Sequence, residues 1–91
     1  MKKILILGAN GNIGRYCVDY FYERREEYDI SLLTADLEGG SFIKERSQFF
    51  QMDISDTDAW KEIPTDIYAI IDFATLCQHV WKDMIRVSIY A

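Results

Sequence analysis

Four apolar residues, Ile4-Leu5-Ile6-Leu7, run into glycines at positions 8, 11 and 14, and an amphipathic helical pattern begins at once. No other stretch constrains the fold as tightly, because buried strand, glycine turn and helix start must follow one another within a dozen residues. Gly8 suits the tight turn off the strand, Gly11 a close approach of ligand to backbone, and Gly14 the packing of helix on strand. A helix that starts on glycine leaves its first N–H groups open. Those groups and the positive end of the helix dipole suit a pyrophosphate. The plain alternative is a glycine-rich turn that binds nothing. Context favours the site, since strand and helix patterns flank the motif and an ordinary turn needs no three glycines three apart.

The rest of the chain alternates strand and helix patterns. Lys3–Leu7 is predicted as the first strand and 12–26 as the first helix, with Ile13, Cys17, Tyr20, Phe21 and Arg24 on its inward face until a charged end. The second strand is predicted over 29–34. A polar stretch, 36–47, follows as a mobile loop that could hold a helical turn around Phe42–Arg46, and 48–52 is the third strand. Ser55 and Asp58 stand at capping-box spacing before Ala59, Trp60 and Ile63, which predicts a helix that Pro64 stops. Residues 67–73 are nearly all apolar, as a strand covered on both faces requires. A last helix is predicted from about Gln78 through Val80, Trp81, Met84, Ile85, Val87 and Ile89, too apolar for one core-facing stripe. Such alternation implies parallel βαβ units in a doubly wound α/β sheet.

Composition narrows the partners. A chain of 91 residues is one domain at most, and a net charge of −5 argues against nucleic acid or an anionic membrane. No apolar run approaches a membrane span, and the four apolar residues after Lys2-Lys3 are too few for a signal-peptide core. The expected location is the cytoplasm. Cys17 and Cys77 fit it as free thiols, Cys17 as core filler and Cys77 with no cation beside it to activate it. One histidine and two distant cysteines cannot build a zinc site, so no metal is expected.

The segment Ile6-Leu7-Gly8-Ala9-Asn10-Gly11-Asn12-Ile13-Gly14-Arg15 resembles the extended and atypical short-chain dehydrogenase/reductase families: nucleotide-sugar epimerases and dehydratases, and NmrA-like NAD(P)-binding proteins. Phe50-Gln51-Met52-Asp53-Ile54 resembles their third-strand ending, and Ala69-Ile70-Ile71-Asp72-Phe73-Ala74-Thr75 their fourth. The resemblance implies a Rossmann-like doubly wound parallel sheet, about four strands in order 3-2-1-4 with helices on both faces. It implies NAD or NADP as cofactor. Gly8, Asn10, Gly11, Asn12, Ile13 and Gly14 would form the pyrophosphate site, Asp53 and Ile54 would flank the adenine, and Phe73, Ala74 and Thr75 would meet the nicotinamide-side ribose. Asp53 could equally begin the next turn.

In this family an acid at the end of the second strand meets the adenine ribose. By alignment that position falls on Thr34 or Ala35, leaving Asp36 one or two residues late: a ribose ligand or a turn-forming aspartate. No cation follows until Lys44, so NAD is favoured over NADP. His79 reads as a surface or capping residue, and Arg86 stands near a position where the family commonly has asparagine.

No tyrosine has a lysine four residues on, so the family's Tyr-x-x-x-Lys acid–base pair is missing and no catalytic residue is expected. The chain then reads as the cofactor-binding half of an oxidoreductase or epimerase/dehydratase, residues 1–91, without the later strands and substrate region. The helical pattern running to Tyr90-Ala91 with no cap, and a bare edge on the fourth strand, favour a fragment. The alternatives are a non-enzymatic nucleotide-sensing or scaffolding module, dimerising through the last helix or the open sheet edge, and a degenerate domain that has lost its cofactor.

Overall fold

The computed structural model describes residues 1–74 and the backbone of 89–90. In chain order the elements are β1 (Lys2–Leu7), α1 (Asn12–Glu23), β2 (Ile30–Asp36), α2 (Ser41–Arg46), β3 (Gln48–Gln51), a 3-10 turn (Ala59–Glu62), β4 (Ile67–Asp72) and β5 (Ile89–Tyr90). The first four strands are parallel in order β3-β2-β1-β4, as expected of a doubly wound sheet. A fifth, two-residue strand pairs antiparallel with β4, Ile70 opposite Tyr90 and Ile71 opposite Ile89. Ile89 is therefore in a strand where the helical pattern predicted a helix, and β4 is not the bare edge expected. The remainder of the expected last helix, with Thr75, Cys77, His79, Trp81, Met84 and Arg86, lies outside the described residues.

Two apolar layers hold the sheet, because alternate residues of each strand point to opposite faces. On one face Ile4, Ile6, Ile30, Leu32, Ala69 and Ile71 pack with Val18 of α1 and Ile43 of α2. On the other, Leu5, Leu7, Leu33 and Ala35 pack with Met52, Ile63 and the half-buried Trp60 around the 3-10 turn. Thr34, fully buried in β2, shares a 2.7 Å hydrogen bond with the Ser47 hydroxyl, which in turn donates to the Ile43 carbonyl at 2.8 Å. That chain of bonds lets a polar side chain sit in the sheet and anchors the end of α2.

Several boundaries differ from expectation for identifiable reasons. Helix α1 turns Gly14 and Val18 inward, with Cys17, Phe21 and Tyr22 packed beside them, while Ile13 is 59% and Tyr20 43% exposed. It ends three residues early. The Arg24 guanidinium stacks 3.8 Å from the Tyr20 ring and donates to the Tyr20 carbonyl, and Arg25 does the same to Tyr22. Side chains thus satisfy carbonyls that a further turn would have used.

Within the stretch expected as a mobile loop, the helical turn that Phe42–Arg46 could hold is the helix α2, formed because Ile43 buries completely against α1 and the sheet. The helix expected after Ser55 is reduced to the 3-10 turn. Asp53 Oδ1 accepts from the Ser55 N–H and hydroxyl, and Asp56 Oδ1 from the Asp58 N–H. These local turns occupy the donors and acceptors of the expected capping box.

Candidate functional site

Four parallel strands place their C-terminal ends, Leu7, Asp36, Gln51 and Asp72, on one edge of the sheet. The connection that leaves β1 crosses one face through α1, and the one that enters β4 crosses the other through the 3-10 turn; such switch points open a crevice. A cleft of about 710 Å³ lies there. The glycine turn forms its floor, the loop after β2 one wall, the loop after β3 another, and Phe73 and Ala74 its far side.

The three glycines differ in what the fold demands of them. Gly8 has φ +73°, where a side chain is strained, and a Cβ there would lie 2.8 Å from the Ala74 nitrogen. A Cβ on Gly14 would collide with the Gly8 carbonyl oxygen and sit 2.8 Å from the Ala9 Cα. Gly11 is different. Its φ is −75°, and the nearest atom to a Cβ would be the Gly8 oxygen at 3.7 Å, an ordinary contact. Packing requires Gly8 and Gly14; nothing inside the protein requires Gly11, which lines the cleft.

Gly11 is also the N-cap of α1 and so offers no side-chain cap, and the first turn carries no acid. The N–H groups of Asn12, Ile13 and Gly14 have no intrahelical acceptor by position, and all three residues border the cleft. The Asn10 N–H is committed elsewhere: it donates to Asp36 Oδ2 at 2.9 Å, while Gly8 and Ala9 both donate to the Ala35 carbonyl, at 2.8 and 3.4 Å. The turn is thus hung from the end of β2, and the helix start is left open.

The end of β2 corrects the alignment made from sequence. Thr34 and Ala35 are fully buried inside the sheet, so neither reaches a ligand. Asp36 is the last residue of β2 itself and the first to border the cleft. Its other oxygen, Oδ1, accepts the Leu37 N–H at 2.7 Å. Asp53 does begin a turn, through Ser55, and the Ser55 hydroxyl and N–H hold its carboxyl below the usual range; it borders the cleft as well. Across the cleft, the Ala74 N–H donates to Asp72 Oδ1 at 2.8 Å and the Phe73 N–H to the Leu7 carbonyl at 3.0 Å, which fixes that wall against the glycine turn.

The structure brings together eleven of the twelve residues expected at the site; the twelfth, Thr75, lies outside the described residues. Sequence reasoning missed Leu37, Glu38 and Met52. Met52 follows β3 directly, its N–H donating to the Asp36 carbonyl at 2.9 Å. Once the strands are known to be parallel, the residue after each strand is the one to inspect; that signal would have found Leu37 and Met52, and Glu38 lies one residue further along. Asp36, Glu38 and Asp53 make the lining acidic, with no Lys or Arg among the described lining residues. Burial pushes the Cys17 thiol up to about 11, in keeping with a packing role under α1. No group of three or more His, Cys, Asp or Glu that could hold a metal occurs among the described residues, and no described helix is long and apolar enough to cross a membrane.

The model of the NAD dependent epimerase/dehydratase family matches residues 4–89. Over 36 residues, 40% of the chain, the sequence is 44% identical to 1-deoxy-D-xylulose 5-phosphate reductoisomerase from Wolbachia pipientis subsp. Culex pipiens (strain wPip). The chain's matched segment spans 9% of that relative's length. No solved structure matches.

Proposed function

The chain belongs to the NAD dependent epimerase/dehydratase family, and on that premise we propose that residues 1–91 are the dinucleotide-binding half of an oxidoreductase or epimerase/dehydratase. Within the short-chain dehydrogenase/reductase class we place it in the extended or atypical branch. The uncapped start of α1, opening into the cleft beside a glycine that packing does not require, is the observation that carries this reading. The pyrophosphate would lie on the amides of Asn12, Ile13 and Gly14, with Gly11 leaving room for its approach. The adenosine would run past the end of β2 toward Met52, Asp53 and Ile54. The nicotinamide-side ribose would lie against Phe73, Ala74 and Thr75. When bound, the nicotinamide supplies hydride transfer to or from an alcohol or carbonyl. The acidic lining favours NAD, because a 2′-phosphate would meet carboxylates and no paired cation.

A cytoplasmic location fits a free Cys17 and a soluble cofactor. The proposal also includes a homodimer formed through the segment after Ala74 or a sheet edge, which sedimentation at increasing concentration reads directly. A second reading, dinucleotide binding without turnover, is favoured by the lack of any Tyr-x-x-x-Lys pair in the sequence.

The test is a calorimetric titration of the 91-residue chain with NADH and NADPH, beside Gly11→Val. Saturable NADH binding that falls at least about tenfold in the variant, with little change in Tm, supports the site. A folded wild-type chain that binds neither nucleotide rejects it. Bound NADH with no hydride transfer to any carbonyl substrate tried favours the second reading.

A further inference from the structure

We infer that the outer edge of β3 is a self-association site, on which a second copy of this chain pairs antiparallel about a two-fold axis at Phe49. The inference names the surface for the homodimer proposed above and stands apart from nucleotide binding. The sheet ends in β5 on one side and in β3 on the other. β5 covers the outer edge of β4 with two residues. β3 is longer, and among the described residues no strand pairs with its outer edge. The Met52 N–H donates to the Asp36 carbonyl, and alternate residues of a parallel ladder bond to the same neighbour. The N–H and C=O groups of 48, 50 and 52 therefore face β2, and those of Phe49 and Gln51 face outward. Ser47 continues the line, with extended backbone at φ −155° and ψ 166°.

Natural sheet edges are blunted by charge, proline or a bulge. Ser47-Gln48-Phe49-Phe50-Gln51-Met52 has no charged residue and no proline, and β3 pairs with β2 in unbroken register. The flanks carry opposite charge: Lys44 and Arg46 around Glu45 on one side, Asp53 and Asp56 on the other. That asymmetry selects the partner and its direction. Antiparallel pairing of two copies sets the basic end of each beside the acidic end of the other, whereas parallel pairing sets like ends together. Lys44 is exposed and makes no ion pair among the described residues, so its charge is available.

A two-fold axis that extends the sheet keeps each side chain on its own face, so it passes between a residue and its own counterpart. Placed at Phe49, it uses all the outward groups. Phe49 exchanges its hydrogen bonds with the Phe49 of the second copy, and Gln51 exchanges its own with Ser47 of that copy. The two Phe49 side chains then form a cross-strand aromatic pair, and Gln48 stands opposite Phe50. A ladder this short buries less than a standard interface, so the dimer dissociates on dilution.

Sedimentation velocity of the ligand-free chain from about 10 μM to 1 mM should show monomer and dimer and no larger species. Amide NMR over the same range should slow hydrogen exchange at Phe49 and Gln51 at least about tenfold and leave Phe50 and Met52 unchanged. In a mixture of labelled and unlabelled chains, the Hα protons of Gln48 and Phe50 should give an intermolecular NOE, as a pair without hydrogen bonds does. Gln51→Pro removes an outward N–H that β2 does not use and should weaken the dimer at least about tenfold. Lys44→Glu leaves the strand intact and should weaken it about threefold or more, as should about 0.5 M NaCl with the wild type.

A chain that stays monomeric, a dimer whose Phe49 and Gln51 amides do not respond, or growth past the dimer overturns the inference. So does association indifferent to both substitutions. None of these outcomes touches the NADH titration, so the dinucleotide reading stands or falls by itself.

Discussion

Glycines 8, 11 and 14 share one motif but answer to different forces, and single substitutions separate them. At Gly14 an added methyl meets backbone atoms of Gly8 and Ala9, which cannot move without shifting the turn. Gly14→Ala should therefore destabilise the fold by about 1–3 kcal/mol or more. Gly11→Ala should stay within about 0.5 kcal/mol, since its Cβ reaches ordinary contact distance and its φ suits any residue. Urea denaturation of the two variants checks both values, and equal losses would contradict the packing described here. Cys17 gives a second residue-scale test. With the thiol raised to about 11 by burial, very little thiolate exists at pH 8. In a Cys77→Ser background, alkylation of Cys17 should run at least about tenfold slower than that of an unperturbed cysteine, whose pKa is near 8.5.

Short elements hold their shape through the partners they meet. Helix α2 has six residues, too few to be stable alone, and Ile43 is its one fully buried side chain. Ile43→Ala should cost about 2–5 kcal/mol and expose 41–46 to hydrogen exchange ahead of the sheet. Ile43 and the half-buried Phe42 are its only apolar residues, too short a pattern to show a helical period, so the sequence reads there as a loop that could hold one turn. The same competition shaped 53–58, where aspartates bonding their own backbone outbid a helix start of reasonable appearance.

At the opposite end of the sheet, the Lys3 ammonium lies 2.9 Å from both oxygens of Asp66 and joins β1 to the approach of β4. The Lys3 hydrogen bond holds the Asp66 carboxyl below its usual range. A carboxyl lowered on folding contributes stability above its unfolded pKa and loses it as pH falls through the folded value. Asp66→Asn should thus flatten the fall of Tm below about pH 4 and leave little change below the folded pKa. Thermal melts across that range would show it.

For the molecule as a whole, the proposed site and the fold share the same parts, because the glycine turn is hung from β2 and walled by the loop after β4. NADH at about 100 times its Kd should stabilise the folded chain by about 2.7 kcal/mol, a rise in Tm of roughly 10–20 °C for a domain of this size. Gly11→Val should lose that rise and keep its own ligand-free Tm. The strand order and the Asp53, Ile54, Phe73 and Ala74 side of the cleft followed from the family resemblance, whereas the periods of the apolar residues and the glycine spacing alone determined the parallel α/β class and the glycine turn. Those features depend on local chemistry: alternation decides which strands bury both faces, and glycine decides where the backbone can turn sharply. Tertiary structure alone decided the rest. It buried Thr34 and Ala35 and brought Asp36 to the cleft, since strand register and not sequence offset fixes which residue ends β2. It added Leu37, Glu38 and Met52 to the lining, and placed Ile89 in a strand beside Ile71. Each outcome depends on what a residue faces across space, information that local pattern does not carry.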